Sequence, residues 1–136
     1  MYEPIIFDLD GTLTDSKQGI VAGIQYALEK EGLPPYDEER IVEYIGGPLR
    51  EVICEHHGLT DEAASRLIVR FRDYYRRIGI YESHLFPGVK RLLEMLHGQG
   101  RRLAIATAKP TASAHIVLGL FRISDLFEVV SGSDTS

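Results

Sequence analysis

The chain opens on a short apolar run, Ile5-Ile6-Phe7 between Pro4 and Leu9, which closes at Asp10-Gly11. Both faces of the run are apolar, and this predicts a buried strand of a parallel sheet rather than a half-solvated one. The period then becomes helical. Ile20, Ile24, Ala27 and Leu28 recur at i, i+4, i+7 and i+8, with Ser16 placed as N-cap and Gly32 as the stop before Pro34-Pro35. Asp37 is placed to cap a short helix through Ile45, and Gly46-Gly47-Pro48 breaks the chain. Residues 49–57 read as another short helix, stopped by Gly58. Thr60 caps a longer helix to about Ile78, with Asp61 and Glu62 in its first turn, where negative charge meets the positive end of the helix dipole.

After residue 83 the pattern changes again. Phe86-Pro87-Gly88 turns into a helix whose expected core face is Val89, Leu92, Leu93 and Leu96. Residues 102–107 form a second strand, Thr111 opens a helix through about Leu120, and residues 125–131 contain a third strand. Strand, helix, strand in succession is the signature of an α/β parallel sheet. The helical block at 16–83 is longer than a crossover needs. It reads as an inserted helical cap, leaving residues 1–15 and 84–136 as the core.

Composition narrows the classes. Hydrophobic residues make up 44% of the chain, normal for a packed domain and too many for a disordered one. A formal net charge of -5 and a pI near 5.5 exclude a broad electrostatic footprint for nucleic acid. They leave room for an anionic substrate, because a small phosphate site needs only local donors. No apolar run approaches the ~20 residues of a membrane span, and the N-terminus has no basic region of a secretory signal. The single cysteine, Cys54, rules out an internal disulfide and is expected to be a buried small hydrophobe. A reduced, cytoplasmic protein is the expectation. His56 and His57 point about 100° apart on a helix and are no chelating pair. Arg66, Arg70, Arg72, Arg76 and Arg77 fall on one helix with Glu62 and Asp73, which favours a solvated face with i, i+4 pairs over a nucleic-acid stripe. Phe71 and Tyr74 are expected in the core of the helical block.

The chemistry concentrates in Phe7-Asp8-Leu9-Asp10-Gly11-Thr12-Leu13-Thr14-Asp15-Ser16, at the carboxyl end of the first strand. Ligands of open α/β sheets bind outside the carboxyl ends of strands. Two aspartates two apart place carboxylates on successive sides of the turn, and Gly11 and Thr12 are expected to offer backbone N–H groups to an anion. A carboxylate nucleophile, a nearby acid/base and anion donors are the parts phosphoryl transfer needs. An isolated D-x-D-G is equally an Asp-Gly turn with solvated carboxylates; the full run at a strand end favours the chemistry. Ala106-Thr107-Ala108-Lys109-Pro110 follows the second strand. A hydroxyl and an N–H there can hold a phosphate oxygen, and Lys109 reads equally as local positive charge or as a solvated loop lysine.

The first run resembles the leading motif of the haloacid dehalogenase (HAD) superfamily, DxDGTLxDS. The resemblance implies a HAD-like Rossmannoid core with an inserted α-helical cap, and a Mg²⁺-dependent phosphomonoesterase acting on a small phosphorylated metabolite. It implies that Asp8 attacks phosphorus to form an aspartyl-phosphate, and that Asp10 protonates the leaving group and then activates water. The Asp8 carboxylate and the Asp10 backbone carbonyl would bind Mg²⁺. Thr107 maps to the second motif, with Ala108 and Lys109 beside the phosphate. Residues 45–50, Ile-Gly-Gly-Pro-Leu-Arg, resemble a cap loop of phosphoglycolate phosphatases, and Arg50 would meet the outer end of the substrate. Residues 79–88 resemble a stretch of the 5′-nucleotidase-like branch, departing at Ser83 and Phe86. Phosphoglycolate and nucleoside monophosphates are the substrates so implied.

The family's third motif, a lysine, and its fourth, an acidic pair, have no counterpart in the sequence. With only three strands of the 3-2-1-4-5 order, the sequence reads as C-terminally truncated, and Asp15 and Asp134 are weak stand-ins for the acidic pair. Strand one would then be an apolar edge, which predicts self-association. A catalytically inactive fragment that binds phosphate or a partner is therefore an alternative, and phosphomutase a further one. Dehalogenation is disfavoured, because it does not need Asp10.

Overall fold

The computed structural model describes residues 3–42 and 49–133. In chain order its elements are β1 (Ile5–Phe7), β2 (Thr14–Asp15), α1 (Lys17–Lys30), α2 (Glu38–Val42), α3 (Leu49–His57), α4 (Asp61–Arg77), β3 (His84–Leu85), α5 (Val89–Gly98), β4 (Leu103–Pro110), α6 (Thr111–Leu120) and β5 (Val129–Ser133). The chain divides into two compact units, one of residues 1–15 with 84–136 and one of residues 16–83.

The first unit is a parallel sheet of order β1-β4-β5. Phe7 pairs with Ile105 and Ile105 with Val130, so the carboxyl ends of the three strands lie side by side. Leu93, Leu103, Ile105, Val117, Leu118 and Ile123 are almost wholly buried. Burying a side chain of this size contributes about 1.5–3 kcal/mol. Phe7 meets Phe127 edge to face, with centroids 6.4 Å apart.

Several expectations are corrected here. β1 is a sheet edge among the described residues, in line with the three-strand expectation, whereas Ile6, expected in a strand buried on both faces, is 64% exposed. Of the four residues expected to form the core face of α5, Leu93 is buried while Leu92 is exposed. β4 runs on to Pro110, past the expected end at Thr107, through a register shift after Ala106. The third strand starts within the expected 125–131, after a 3₁₀ turn at Ser124–Leu126, and runs on past residue 131 to Ser133. The antiparallel pair of β2 and β3, Thr14↔Leu85 and Asp15↔His84, is too short to leave a period in the sequence. Asp15 sits there with its carboxylate 3.6 Å from His84 Nε2.

The second unit is helical. Thr60 caps α4 as expected, its Oγ1 accepting from the Ala63 N–H at 3.2 Å. Ser16 stands at the start of α1 but makes no capping bond, and its hydroxyl is buried without a partner. α1 and α4 approach closely because α1 presents glycines. A Cβ at Gly23 would lie 2.8 Å from the Phe71 ring, and one at Gly19 would run into the Gly79 carbonyl. Phe71 stacks on Tyr75, and Tyr74 meets Tyr26 with its ring tilted by 35°, although Phe71 and Tyr74 are half-buried rather than core. The arginines of α4 behave in part as a solvated face, with Arg77 paired to Asp73 one turn away and Arg66 paired to Glu31. Cys54 is half-buried rather than buried. The loop at residues 45–48, the residues expected to extend α2 to Ile45, and Asp134 lie outside the described residues, as do the side chains of His56 and His57. No helix among the described residues is long and apolar enough to cross a membrane.

Candidate active site

The site begins where β1 ends. Strand alternation sends Leu9 wholly into the core and turns Asp8 and Asp10 the other way. Asp8 is exposed, and its Oδ1 accepts from the Leu9 N–H at 2.7 Å. Such a bond orients a carboxylate while leaving it open to an incoming group. Asp10 is only 10% exposed at its side chain.

The turn after Asp10 is held by one carbonyl. Leu9 C=O accepts from the backbone N–H of Thr12, Leu13 and Thr14 and from the Thr14 hydroxyl. Gly11, at φ 80°, takes the left-handed conformation that glycine adopts without strain. Its N–H donates to Thr14 C=O at 2.8 Å. The expectation that Gly11 and Thr12 offer N–H groups to an anion is thereby corrected. Both groups close the turn, because a tight turn must satisfy its own backbone donors.

β4 supplies the other wall. The register Phe7↔Ile105 carries Ala106 and the residues after it alongside Asp8 and the turn. Thr107 is half-buried, and its Oγ1 accepts from the Lys109 N–H at 3.1 Å, which leaves the hydroxyl proton available to a ligand. Ala108 is exposed and brings no side-chain donor. Lys109 is 5% exposed at its side chain, and its Nζ donates to Asp10 Oδ2 at 3.1 Å. The two readings of Lys109 are thus resolved: it is a buried cation paired with the second aspartate. A charge pair removed from water is held by its geometry, and removing one partner strands the other. The second oxygen, Asp10 Oδ1, is buried with no hydrogen-bond partner. A buried acceptor in that state has room in its bonding for a donor from water or from a ligand.

Arg50 lies in the other of the two compact units. Its guanidinium donates to Ser65 Oγ at 2.8 Å and to the Asp61 carbonyl, and lies 3.7 Å from the Asp61 carboxylate. These bonds tie α3 to the start of α4.

Among the described residues no group of three or more His, Cys, Asp or Glu side chains is arranged to hold a metal ion. Mg²⁺ sites in phosphoryl transfer commonly use one or two carboxylates, with substrate oxygens and water completing the octahedron. The exposed Asp8 carboxylate and the Asp10 backbone carbonyl are hard oxygen donors of that kind, so the donor chemistry fits.

The parallel sheet thus carries two carboxylates at the end of its first strand, and a hydroxyl and a cation at the end of the next. Residues 5–136 match the family model described as haloacid dehalogenase-like hydrolase, and the chain belongs to that family. It is 36% identical over 133 residues to a 5′-nucleotidase of Pseudomonas aeruginosa, covering 98% of this chain and 60% of that protein. It is 32% identical over 135 residues to a phosphoglycolate phosphatase of Cereibacter sphaeroides, covering 96% of this chain and 62% of the relative. Among solved structures it matches the protein tyrosine kinase A (PtkA) of Mycobacterium tuberculosis at a TM-score of 0.87 and 37% identity, covering 100% of this chain and 63% of that one. The chain therefore spans about 60% of the length of the relatives it matches.

Proposed function

We propose that the protein hydrolyses a phosphomonoester of a small metabolite through an aspartyl-phosphate on Asp8. The observation that carries this reading is the buried Lys109–Asp10 pair, 3.1 Å long, beside an exposed Asp8. It separates the two carboxylates into an accessible one and a fixed one, which are the roles of nucleophile and acid/base. Relatives named for 5′-nucleotidase and phosphoglycolate phosphatase activity support the substrate class, a nucleoside monophosphate or phosphoglycolate.

An Asp8 carboxylate oxygen attacks phosphorus, and the phosphorus–oxygen ester bond breaks with its electron pair going to the leaving oxygen. Asp10 gives that oxygen its proton. Asp10 then takes a proton from water as the water attacks phosphorus, which returns the Asp8 carboxylate and frees inorganic phosphate. Thr107 donates its hydroxyl hydrogen to a phosphoryl oxygen. Asp8 and the Asp10 carbonyl would hold Mg²⁺, which supplies positive charge against the phosphoryl oxygens when bound. The helical unit at 16–83 is proposed to act as a cap that limits water and selects the leaving group, with Arg50 toward the outer end of the substrate. β1 is proposed as the edge through which the chain self-associates.

A second reading rests on the likeness to the tyrosine kinase PtkA. In that reading the phosphoryl group on Asp8 passes to an acceptor hydroxyl rather than to water. The two share the first half of the reaction and differ in the product.

The test is an assay of the purified chain with p-nitrophenyl phosphate. Hydrolysis that disappears in EDTA and returns with Mg²⁺ is the expected result. Hydrolysis indifferent to EDTA contradicts the role of the metal, and no hydrolysis of this ester or of either metabolite contradicts the reading. Phosphoryl transfer to an added tyrosine peptide at the expense of phosphate release favours the second reading.

A further inference from the structure

Resting on the reading that Asp10 exchanges the proton, we propose that Lys109 is a positioning residue for Asp10, latched from behind by Gly132 against Thr111. The two oxygens of Asp10 are not equivalent. Oδ2 receives the Lys109 ammonium at 3.1 Å, whereas Oδ1 is buried and has no partner. An ammonium has donors and no acceptor, so it fixes Oδ2 as an acceptor and with it the rotamer of Asp10.

The arrangement depends on where the Lys109 backbone is held. Lys109 follows the register shift after Ala106, where β4 departs from regular pairing with β5. Its N–H is engaged by Thr107 Oγ1 at 3.1 Å. Its carbonyl faces β5. There the Gly132 N–H donates to Thr111 Oγ1 at 3.1 Å, and a Cβ on Gly132 would stand 2.5 Å from Lys109 O and 2.8 Å from both the N and the Cα of Thr111. These are backbone atoms and cannot rotate aside. Gly132 is not at positive φ, so close approach rather than backbone conformation calls for glycine there. A methyl group at 132 must lift the end of β5 off residues 109–111 and release the backbone that aims Lys109 at Asp10.

The test uses crystal structures and kinetics of Gly132→Ala, Lys109→Gln, Lys109→Arg and the Gly132→Ala/Lys109→Gln double variant. Gly98→Ala is the control, since nothing lies within 4 Å of a Cβ built at Gly98. In Gly132→Ala the Lys109 Nζ to Asp10 Oδ2 distance is expected to open past about 4 Å, the outer limit of a salt bridge. Loss of a positioned acid/base is expected to lower kcat about 10²-fold with KM changed less than about threefold. Lys109→Gln is expected to do the same, Lys109→Arg to recover part of the loss, and the double variant to fall no further than Lys109→Gln alone. An unchanged Lys109–Asp10 distance in Gly132→Ala overturns the latch. Losses that multiply in the double variant overturn the coupling. A rise in KM alone in Lys109→Gln makes the lysine a substrate ligand and overturns its positioning role. If Gly132→Ala does not fold, the Asp10 rotamer in Lys109→Gln decides: rotated supports the proposal and unchanged overturns it. A chain with no turnover at all fails the catalytic reading, while the crystallographic distance still decides the latch.

Discussion

Asp8→Asn is expected to lower phosphomonoester turnover by at least about 10⁴-fold, as loss of a covalent nucleophile does. The amide has nearly the shape of the carboxylate and can still accept the Leu9 N–H bond that orients Asp8 Oδ1. Because the side chain is exposed and makes no bond that the core depends on, the fold is expected to be kept. Steady-state kinetics and a thermal melt of the same preparation check both halves. Lost turnover with an unchanged melt assigns the nucleophile. Retained turnover removes Asp8 from that role, and lost turnover with a collapsed melt assigns nothing to chemistry.

The largest expected effect on stability lies in the helical unit. Gly19→Ala is expected to destabilise the chain by about 2–3 kcal/mol, at the upper part of the range for overpacking a filled site. The added methyl would meet the Gly79 carbonyl, a backbone group, and Gly79 is itself confined by Tyr75 at 2.9 Å from its own Cβ position. Neither side can give without separating the start of α1 from the turn at residues 79–81. Urea unfolding followed by circular dichroism reads the loss. A midpoint equal to that of the parent shows that the crossing tolerates a side chain and that the close approach is not required.

Much of the fold was legible because its signals are local. The i, i+4 spacing of Ile20, Ile24 and Leu28 located α1, and Thr60 located the start of α4 through a bond it does make. The strand order β1-β4-β5 agrees with the part of the 3-2-1-4-5 order that the resemblance implies for the first three core strands. What was illegible depends on distant partners. Ile6 reads as core because it is apolar, but its exposure is set by what packs on its face of the sheet, which the strand itself does not announce. Leu92 fits the helical period of α5 but falls outside the stripe that is buried, which Leu93 occupies. The two-residue pairing of β2 with β3 joins positions about seventy residues apart and has no periodicity to announce it.

The candidate site divides in the same way. Asp8 and Asp10 stand out in the sequence because they belong to the full run Phe7 to Ser16 at the end of an expected strand, not because a D-x-D-G alone would. The role of Lys109 is invisible there, because its partner lies 99 residues away and its orientation depends on the register shift in β4. Gly11 and Thr12 were misread because the sequence shows which N–H groups exist but not which carbonyl will claim them. Gly132 offers no signal at all until β5 is laid against residues 109–111.

The central claim is that the phosphoryl group passes through Asp8. Its most direct test is to acid-quench the chain during turnover of a phosphate ester, reduce the trapped acyl phosphate with borohydride, and locate the modified residue by mass spectrometry. The account predicts reduction at Asp8, absent without substrate and absent in Asp8→Asn. Turnover with no acyl phosphate on Asp8, or with one on any other residue, contradicts it.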